Sequence, residues 1–423
     1  MKQSFYIGSV VAMQLIAAFA SQLLVVRVVG VGLETDAYIA AQTVPAVLLA
    51  VMTAALQSVW LPKLAVLNHD FAEWRTQQSI AQGQTMIMAG SVLLLVWLTS
   101  AIWVPILFLG FEDAQLQLTG SLIGPLLLAA AFNAQASLLT IALRARDRFI
   151  VAESISMLGT LLSLMLMIVS LPRWGIESAA YIAMVRAMIV FFILLGFAGW
   201  PRIKLRAGFA CKETWKQMRL ILFGASIYKT SPLVDRFWSS QASEGSLTSF
   251  SLAQLAIGAI ATIMERVISM PLTPALARYV AIEDYAGLKR VYRQGMKRIT
   301  LATIAFFCVI TITYPVFISF LEIVLKASPD VAKVIWSIML LLIGSLHVAV
   351  SGSLAVACFY AMNDSKTPVV IGLLGFCLGV FFKSIGFLAY GLPGLAAATS
   401  FYYLINILLF DISLTRKCKG KQN

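Results

Sequence analysis

Long apolar stretches recur along the whole chain and constrain its fold more than any other feature. A bilayer core about 30 Å thick is crossed by about 20 consecutive apolar residues of a helix, and twelve stretches of the sequence reach that length. Their approximate bounds are 4–26, 37–61, 85–109, 115–142, 150–171, 178–199, 219–240, 247–272, 297–320, 333–361, 368–390 and 393–414. Each is too long for a strand of a membrane barrel. The sequence therefore predicts an all-α integral membrane protein with twelve transmembrane helices.

The composition excludes most soluble functions. Hydrophobic residues make up 60% of the 423 residues and charged residues 12%, whereas soluble domains carry about 25% charged residues. Soluble enzymes and nucleic-acid-binding proteins are therefore excluded, despite a formal net charge of +13.

The positive charge follows the loops instead. If the N-terminus lies inside the cell, most Lys and Arg residues fall in inside segments, and the outside segments hold only Arg27, Arg173, Lys326 and Lys333. Because basic loops stay in the cytoplasm, the sequence predicts that both termini are cytoplasmic. The outer loops are too short for a catalytic domain, so activity is expected within the membrane.

The chain also repeats itself, which predicts a duplicated bundle. In one pair of motifs Arg27 precedes Pro62 and Arg236 precedes Pro274; in the other, Asp147 precedes Gly175 and Asp364 precedes Gly394. The spacings are similar within each pair. We expect two six-helix lobes, 1–205 and 206–423, related by a pseudo-two-fold axis along the membrane normal, with a substrate site between them. A duplicated scaffold without transport is the alternative.

The same motifs resemble a known family. The runs that carry the resemblance are Val25-Val26-Arg27-Val28-Val29-Gly30, Thr35-Asp36-Ala37-Tyr38, Phe359-Tyr360-Ala361-Met362-Asn363-Asp364-Ser365-Lys366-Thr367-Pro368-Val369 and Gly394-Leu395-Ala396-Ala397-Ala398-Thr399-Ser400. They are similar to the MurJ/MviN family of the multidrug/oligosaccharidyl-lipid/polysaccharide exporter superfamily. The resemblance spans almost the whole chain.

The resemblance implies a flippase of a bacterial inner membrane rather than an enzyme. Its substrate would be a polyprenyl-pyrophosphate-linked glycan precursor, lipid II in the family and oligosaccharides in relatives. Partners would be that glycan lipid, membrane lipids and envelope-biosynthesis proteins. The sequence departs from the family because several arginines expected in helices 1, 2 and 8, and two further C-terminal helices, have no counterpart. Both departures favour a divergent lipid-linked glycan carrier.

Ionisable residues within apolar stretches mark candidate pathways. Candidate phosphate contacts are Arg27, Lys229, Arg236 and Arg266, because Arg binds phosphate bidentately and Lys attracts it as a point charge. Asp36 belongs to the same predicted substrate site. Alternatives stay open: Arg27 could snorkel to the outer interface, Arg266 could pair with Glu265 or reach inner headgroups, and Asp36 could cap a helix. Arg186 lies in the sixth stretch without an assigned role.

A coupling site is expected around Asp235. Asp235 and Lys383 lie at similar predicted depths, about 23 Å from the inner boundary at 1.5 Å per residue. The resemblance implies that some members bind sodium here, and Asp235 and Thr399 fit that pattern, whereas Gly379 and Lys383 replace other expected ligands. We therefore expect Lys383 to act as a built-in counter-ion of Asp235 and this site to be independent of sodium. Glu265 is a second predicted coupling or ion-pair residue.

Motifs for cofactor or metal chemistry are absent from the sequence. His69 and His347 are far apart, the five cysteines form no framework, and nucleotide-binding and zinc-protease motifs are missing. No cofactor and no metal are expected. Two other functions stay open: a multidrug or cation antiporter of the same superfamily, and a membrane glycosyltransferase or ligase.

Overall fold

A computed structural model describes residues 2–67, 70–199 and 212–420, and these ranges consist of helices joined by short turns. The helices are α1 (Lys2–Val29), α2 (Leu33–Val66), α3 (Phe71–Leu98), α4 (Ser100–Leu107), α5 (Asp113–Arg144), α6 (Phe149–Ala198), α7 (Lys212–Lys229), α8 (Ser231–Ser239), α9 (Ser246–Met264), α10 (Met270–Ala281), α11 (Tyr285–Ile312), α12 (Tyr314–Leu325), α13 (Pro329–Leu341), α14 (Ile343–Ala361) and α15 (Lys366–Gly420). A π-helical segment, Glu265–Ser269, joins α9 to α10. The predicted all-α class is confirmed.

Nine helices in these ranges are long and apolar enough to cross a membrane. Many of their exposed side chains are large and apolar, such as Ile16, Ile312 and Leu388 at 70%, 80% and 73% exposure. Such a surface is suited to contact with lipid rather than with water. Two of the nine, α6 and α15, contain 50 and 55 residues. At 1.5 Å per residue each is about twice as long as one crossing requires. The count of twelve crossings in two six-helix lobes stays a prediction.

Each of the twelve predicted stretches coincides with helix, but several are interrupted. The breaks fall at Thr99, Thr230, Thr313 and Leu342, and the π segment interrupts the stretch 247–272. Two of the breaks, and the end of the π segment, come two residues before Pro232, Pro315 and Pro271. Proline removes an N–H donor and clashes with the preceding turn, so the helix ends or widens there.

The two longest helices each reverse direction at one glycine. Gly175 in α6 has φ 63° and Gly391 in α15 has φ 61°, a left-handed conformation that glycine adopts without strain. Close contacts show the reversal. A Cβ atom built on Gly386 would lie 2.5 Å from the carbonyl oxygen of Gly394, whereas eight residues of a straight helix span about 12 Å. Each helix is therefore a hairpin of two antiparallel arms.

The same sequence of backbone signals precedes both hairpins. Asp147 and Asn363 are left-handed, with φ 58° in each. Arg148 N donates to Leu143 O, and Asp364 N donates to Phe359 O, both at 2.9 Å, the bond of a Schellman helix end. The left-handed residue stands 28 residues before the reversing glycine in both cases. The structure thus pairs Gly175 with Gly391, three residues before the Gly394 chosen from the sequence.

A second correspondence joins α3 and α11, which contain 28 residues each. The Asp70 carboxylate caps α3 by accepting from Ala72 N and Glu73 N, and that of Asp284 caps α11 by accepting from Gly287 N at 2.8 Å. Both helices end at a threonine whose hydroxyl donates back into the last turn. These repeated caps and ends support a duplicated chain.

The turn before α15 contains an ion pair between Asp364 and Lys417. Asp364 Oδ1 accepts from Lys366 N and Thr367 N, each at 3.1 Å, and Oδ2 accepts from Lys417 on the second arm of α15. Burial of the carboxyl would raise its pKa, but the hydrogen bonds from Lys417 and Thr367 outweigh it and lower the pKa of Asp364 to about 2. This carboxylate therefore ties the start of the hairpin to its end.

The chain forms two compact units, Met1–Gly245 and Ser246–Asn423. In the first, Leu139 and Leu143 of α5 pack with Ala152 and Leu194 from both arms of α6 in a buried core. The predicted boundary between lobes at 205/206 lies outside the described residues and stays a prediction.

Candidate functional site

The start of α2 is tied to the turn before α9 by two carboxylates. Asp36 is 2% exposed, and its Oδ2 accepts from Gly245 N at 2.7 Å. In return, Glu244 Oε1 accepts from Leu33 N at 2.7 Å. Asp36 is not the N-cap of α2, because the helix begins three residues earlier and Gly32 occupies the cap position. The predicted substrate residue Asp36 therefore joins the start of α2 to the backbone of the turn before α9. We call this pair of carboxylate contacts the junction.

Arg236 and Asp235 lie together on α8, close to this junction. Asp235 is 3% exposed. The guanidinium of Arg236 lies within electrostatic reach of both Asp235 and Asp36. Its buried Nη1 has no hydrogen-bond partner among the residues that the structure describes. The structure thus brings three of the predicted site residues, Asp36, Asp235 and Arg236, into one charged cluster of the first unit.

The other predicted phosphate contacts have exposed side chains. Arg27 lies in the last turn of α1, Lys229 is the last residue of α7, and Arg266 lies on the π segment beside the half-buried Glu265. Exposure of Arg27 at a helix end fits the snorkelling alternative. A π segment often marks a functional position. Here the proline at position 271 explains why the helix widens into a π segment. Contact of these residues with substrate stays a prediction.

Lys383 is the most buried charged residue in the described part of the second unit, at 1% exposure. Its Nζ lies 5.2 Å from the centre of the Tyr402 ring, a cation–π geometry. Gly379, one turn earlier, leaves room for the same ring, because a Cβ built there would lie 3.1–3.3 Å from it. The two departures from the family pattern, Gly379 and Lys383, therefore both face Tyr402.

Thr399, the remaining predicted coupling residue, is 3% exposed. Its hydroxyl donates to Leu395 O at 2.8 Å, within its own helix. Asp235 belongs to the first unit and Lys383 to the second, so their pairing stays a prediction.

Sequence reasoning missed the polar interior of the first unit. Two cavities of about 280 Å³ lie there, and Arg186 and Asn133 line both. The first is lined further by Gln14, Thr53, Gln57, Ser137, Thr140, Arg144, Glu153 and Ser156. The sequence carried a signal: Asn133, Ser137 and Thr140 recur at the spacing of one helix face, within an otherwise apolar stretch.

Buried charges and polar cavities among apolar helices long enough to cross a membrane are features that multi-pass membrane transporters share. The chain belongs to the MurJ family: residues 25–423 match the family described as "Lipid II flippase MurJ". None of the curated proteins matches the sequence significantly.

Solved structures of the same fold include a lipid II flippase and multidrug transporters. A "Lipid II flippase MurJ, inward closed conformation" is similar with a TM-score of 0.80 and 14% identity, over 97% of this chain and 87% of that chain. An inward-facing "multidrug resistance MATE family transporter of the MOP superfamily" has a TM-score of 0.77 and 14% identity, over 96% and 95%. A MOP superfamily transporter from Pyrococcus furiosus has a TM-score of 0.63 and 15% identity, over 99% and 95%. These likenesses establish the fold.

Proposed function

We propose that the protein moves a polyprenyl-pyrophosphate-linked cell-envelope glycan precursor, lipid II or a lipid-linked oligosaccharide, from the inner to the outer leaflet by alternating access. The observation that carries this proposal is the match of residues 25–423 to the lipid II flippase family. Buried polar and charged side chains inside membrane-spanning helices support it. The role is that of a transporter, with no bond made or broken in the substrate.

The physical problem of such transport matches these features. A charged sugar-phosphate headgroup cannot cross hydrocarbon unaided, since burying an unpaired charge costs many kcal/mol, whereas the polyprenyl tail can stay in lipid. Arg236 has an enclosed N–H group suited to a phosphate oxygen, and charge-assisted bonds of arginine to phosphate are strong. Arg27, Lys229 and Arg266 complete the proposed set of phosphate contacts.

We further propose the topology that such a cycle needs. Twelve crossings form two six-helix lobes, 1–205 and 206–423, in a bacterial inner membrane with both termini in the cytoplasm. The repeated caps of α3 and α11 and the repeated hairpins α6 and α15 support the duplication. Reporter fusions after residues 199 and 420 test the topology. Both should report the cytoplasm, and a periplasmic signal from either contradicts it.

For energy coupling, we propose that Lys383 is the counter-ion of Asp235, near Thr399, and that Glu265 forms a second ion pair. Transport would then be independent of sodium at this site, and a proton could load Asp235 when the pair opens. Sodium binding to the purified protein tests this. Saturable binding that Asp235→Asn abolishes contradicts the proposal, whereas its absence in both proteins supports it.

Depletion of the protein tests the proposed function itself. Cells should accumulate a polyprenyl-linked glycan intermediate on the inner leaflet, identified by mass spectrometry. Variants Arg27→Gln, Lys229→Gln, Arg236→Gln and Arg266→Gln should each restore growth less well than wild type, and the exposed Arg278→Gln serves as a control for lost charge. Unchanged complementation by all four would remove these residues from the substrate site.

A multidrug or cation antiporter is the second candidate, favoured by the likeness to a MATE transporter at a TM-score of 0.77. Its depletion should sensitise cells to cationic dyes while no lipid-linked intermediate accumulates. Such an outcome replaces the flippase proposal, whereas accumulation without dye sensitivity rules the antiporter out.

A further inference from the structure

The two cavities of the first unit meet at one arginine. Arg186 comes from the second arm of α6 and lines both cavities. The opposite arm approaches it closely, because Gly159 has no side chain and Arg186 Cγ lies 3.8 Å from where a Cβ would stand. Thr160 follows Gly159, and its hydroxyl accepts a hydrogen bond from the guanidinium at 3.4 Å. The hairpin therefore fixes this arginine at the boundary of the cavities.

Arg186 carries a charge that its surroundings leave uncompensated. Glu153 is the one carboxylate among the residues lining the two cavities, and it is paired with Arg144 at 2.5 Å. Within the ranges that the structure describes, Arg186 forms no ion pair, and Tyr38 is the neighbour within its electrostatic reach. A charge enclosed in a membrane protein is costly unless an opposite charge accompanies it.

The cavities have the size and chemistry to supply that opposite charge from a ligand. Each has about 280 Å³, near the lower end of pockets that hold small molecules, about 300–1,000 Å³. The amide of Asn133 lines both, and Gln42 lines the second. A guanidinium presents a planar fork of N–H donors that matches phosphate oxygens, and neutral amides and hydroxyls can donate to the remaining oxygens.

We propose that the interior of the first unit contains an anion site centred on Arg186, which binds a phosphate or diphosphate group. The group comes either from a lipid-linked headgroup or from a free anion. None of the cluster residues Asp36, Asp235 and Arg236 is among the residues that line the two cavities. The lipid source rests on the proposed function, whereas free diphosphate binding stands without it. Organic cations are repelled from the site, because its lining carries a net positive charge.

Ligand-dependent stability of the purified full chain tests the site. Sodium diphosphate should raise the thermal midpoint above that in sodium chloride of equal ionic strength, and tetraphenylphosphonium should not. Arg186→Gln should weaken diphosphate binding by about tenfold to hundredfold, the range expected for hydrogen bonds to a charged group. Arg186→Lys should bind with intermediate affinity. The control Arg173→Gln removes an exposed arginine of the same helix and should bind as wild type does.

A second experiment, in lipid vesicles, identifies the source of the phosphate group. Protein in vesicles with polyprenyl diphosphate is compared with protein in vesicles that contain polyprenol. If both the lipid and free diphosphate stabilise wild type but not Arg186→Gln, the site holds the headgroup. If free diphosphate alone does so, the site holds a soluble anion even where depletion has disproved the flippase. Equal stabilisation of wild type and Arg186→Gln, or of neither by any anion, overturns the proposal.

Charge-selective labelling covers the case in which Arg186→Gln does not fold. Ser137 and Arg186 both line the first cavity. In Ser137→Cys, the introduced thiol should react faster with an anionic than with a neutral thiosulfonate reagent, and diphosphate should slow the reaction. The modified position is located by mass spectrometry. Faster reaction with a cationic reagent, or no protection by diphosphate, overturns the anion site.

Discussion

The reversal of α15 depends on the approach of two glycines, and replacement of one of them tests the hairpin. In Gly394→Ala the new Cβ would lie 2.7 Å from the carbonyl carbon of Gly386, and closer to its oxygen. This is roughly 0.7 Å below the 3.4 Å at which ordinary van der Waals contact begins. Both neighbours are backbone, so the arms must separate. Overpacking of this kind costs about 1–3 kcal/mol.

The matched control lies in the first arm of the same helix. A Cβ built on Gly372 meets no atom within 4 Å, so Gly372→Ala should gain helix propensity without a clash, about 0.5–1 kcal/mol. The two Gly→Ala changes are therefore expected to differ in sign. Gly394→Ala should lower the free energy of unfolding and Gly372→Ala should raise it slightly.

Reversible unfolding of the purified protein in mixed detergent micelles measures both free energies. Helical content and binding of diphosphate show whether each variant still folds. If Gly394→Ala is as stable as Gly372→Ala or more so, the two arms are not in contact at Gly386 and the hairpin geometry is wrong.

Three further predictions concern the caps and the ion pair. Asp70→Ala and Asp284→Ala should each lower the unfolding free energy by about 1 kcal/mol, and the losses should add in the double variant; a loss from one variant alone would contradict the equivalence of α3 and α11. Glu244→Ala should lower it by about 0.3–1 kcal/mol, with Glu244→Gln closer to wild type, and equal stability of all three proteins would argue against the cap on α2. Because the pKa of Asp364 is lowered to about 2, its stabilisation is complete above its unfolded value near 4 and is lost as pH falls toward 2. Asp364→Asn should therefore flatten the pH dependence of the thermal midpoint in that window, and an unchanged slope would refute the role of Lys417.

Hydropathy located the helices well because lipid imposes the same demand on every crossing. All twelve apolar stretches coincide with helix. Pro232, Pro271 and Pro315 stand just after three of their interruptions, but the other two breaks had no such signal. At Thr99 and Leu342 the apolar run continues through the break, and only backbone geometry distinguishes the two sides. The same limit explains the pairing of Gly175 with Gly394: three glycines stand near that reversal, and the left-handed conformation of Gly391 selects one of them.

The charged residues of the candidate site could be predicted from the sequence, because they stand within apolar stretches. Asp36, Asp235, Arg236 and Lys383 are conspicuous because ionisable residues are rare in such stretches, and the structure encloses all four to different degrees. Which of them meet depends on the rotation and packing of helices, which hydropathy does not record. The role of Arg186 was missed for this reason, since its surroundings are assembled from polar residues of several separate stretches.

The single-residue reversals at Gly175 and Gly391 also bear on how the chain assembles. Each pair of arms is joined without a loop, so the two arms that pack together are adjacent in sequence. Bringing them together therefore costs almost no loop-closure entropy. We expect these two hairpins to form early during membrane insertion and the remaining helices to assemble around them. Each of these turns is a bare segment of backbone, which offers very little to a protease or an antibody.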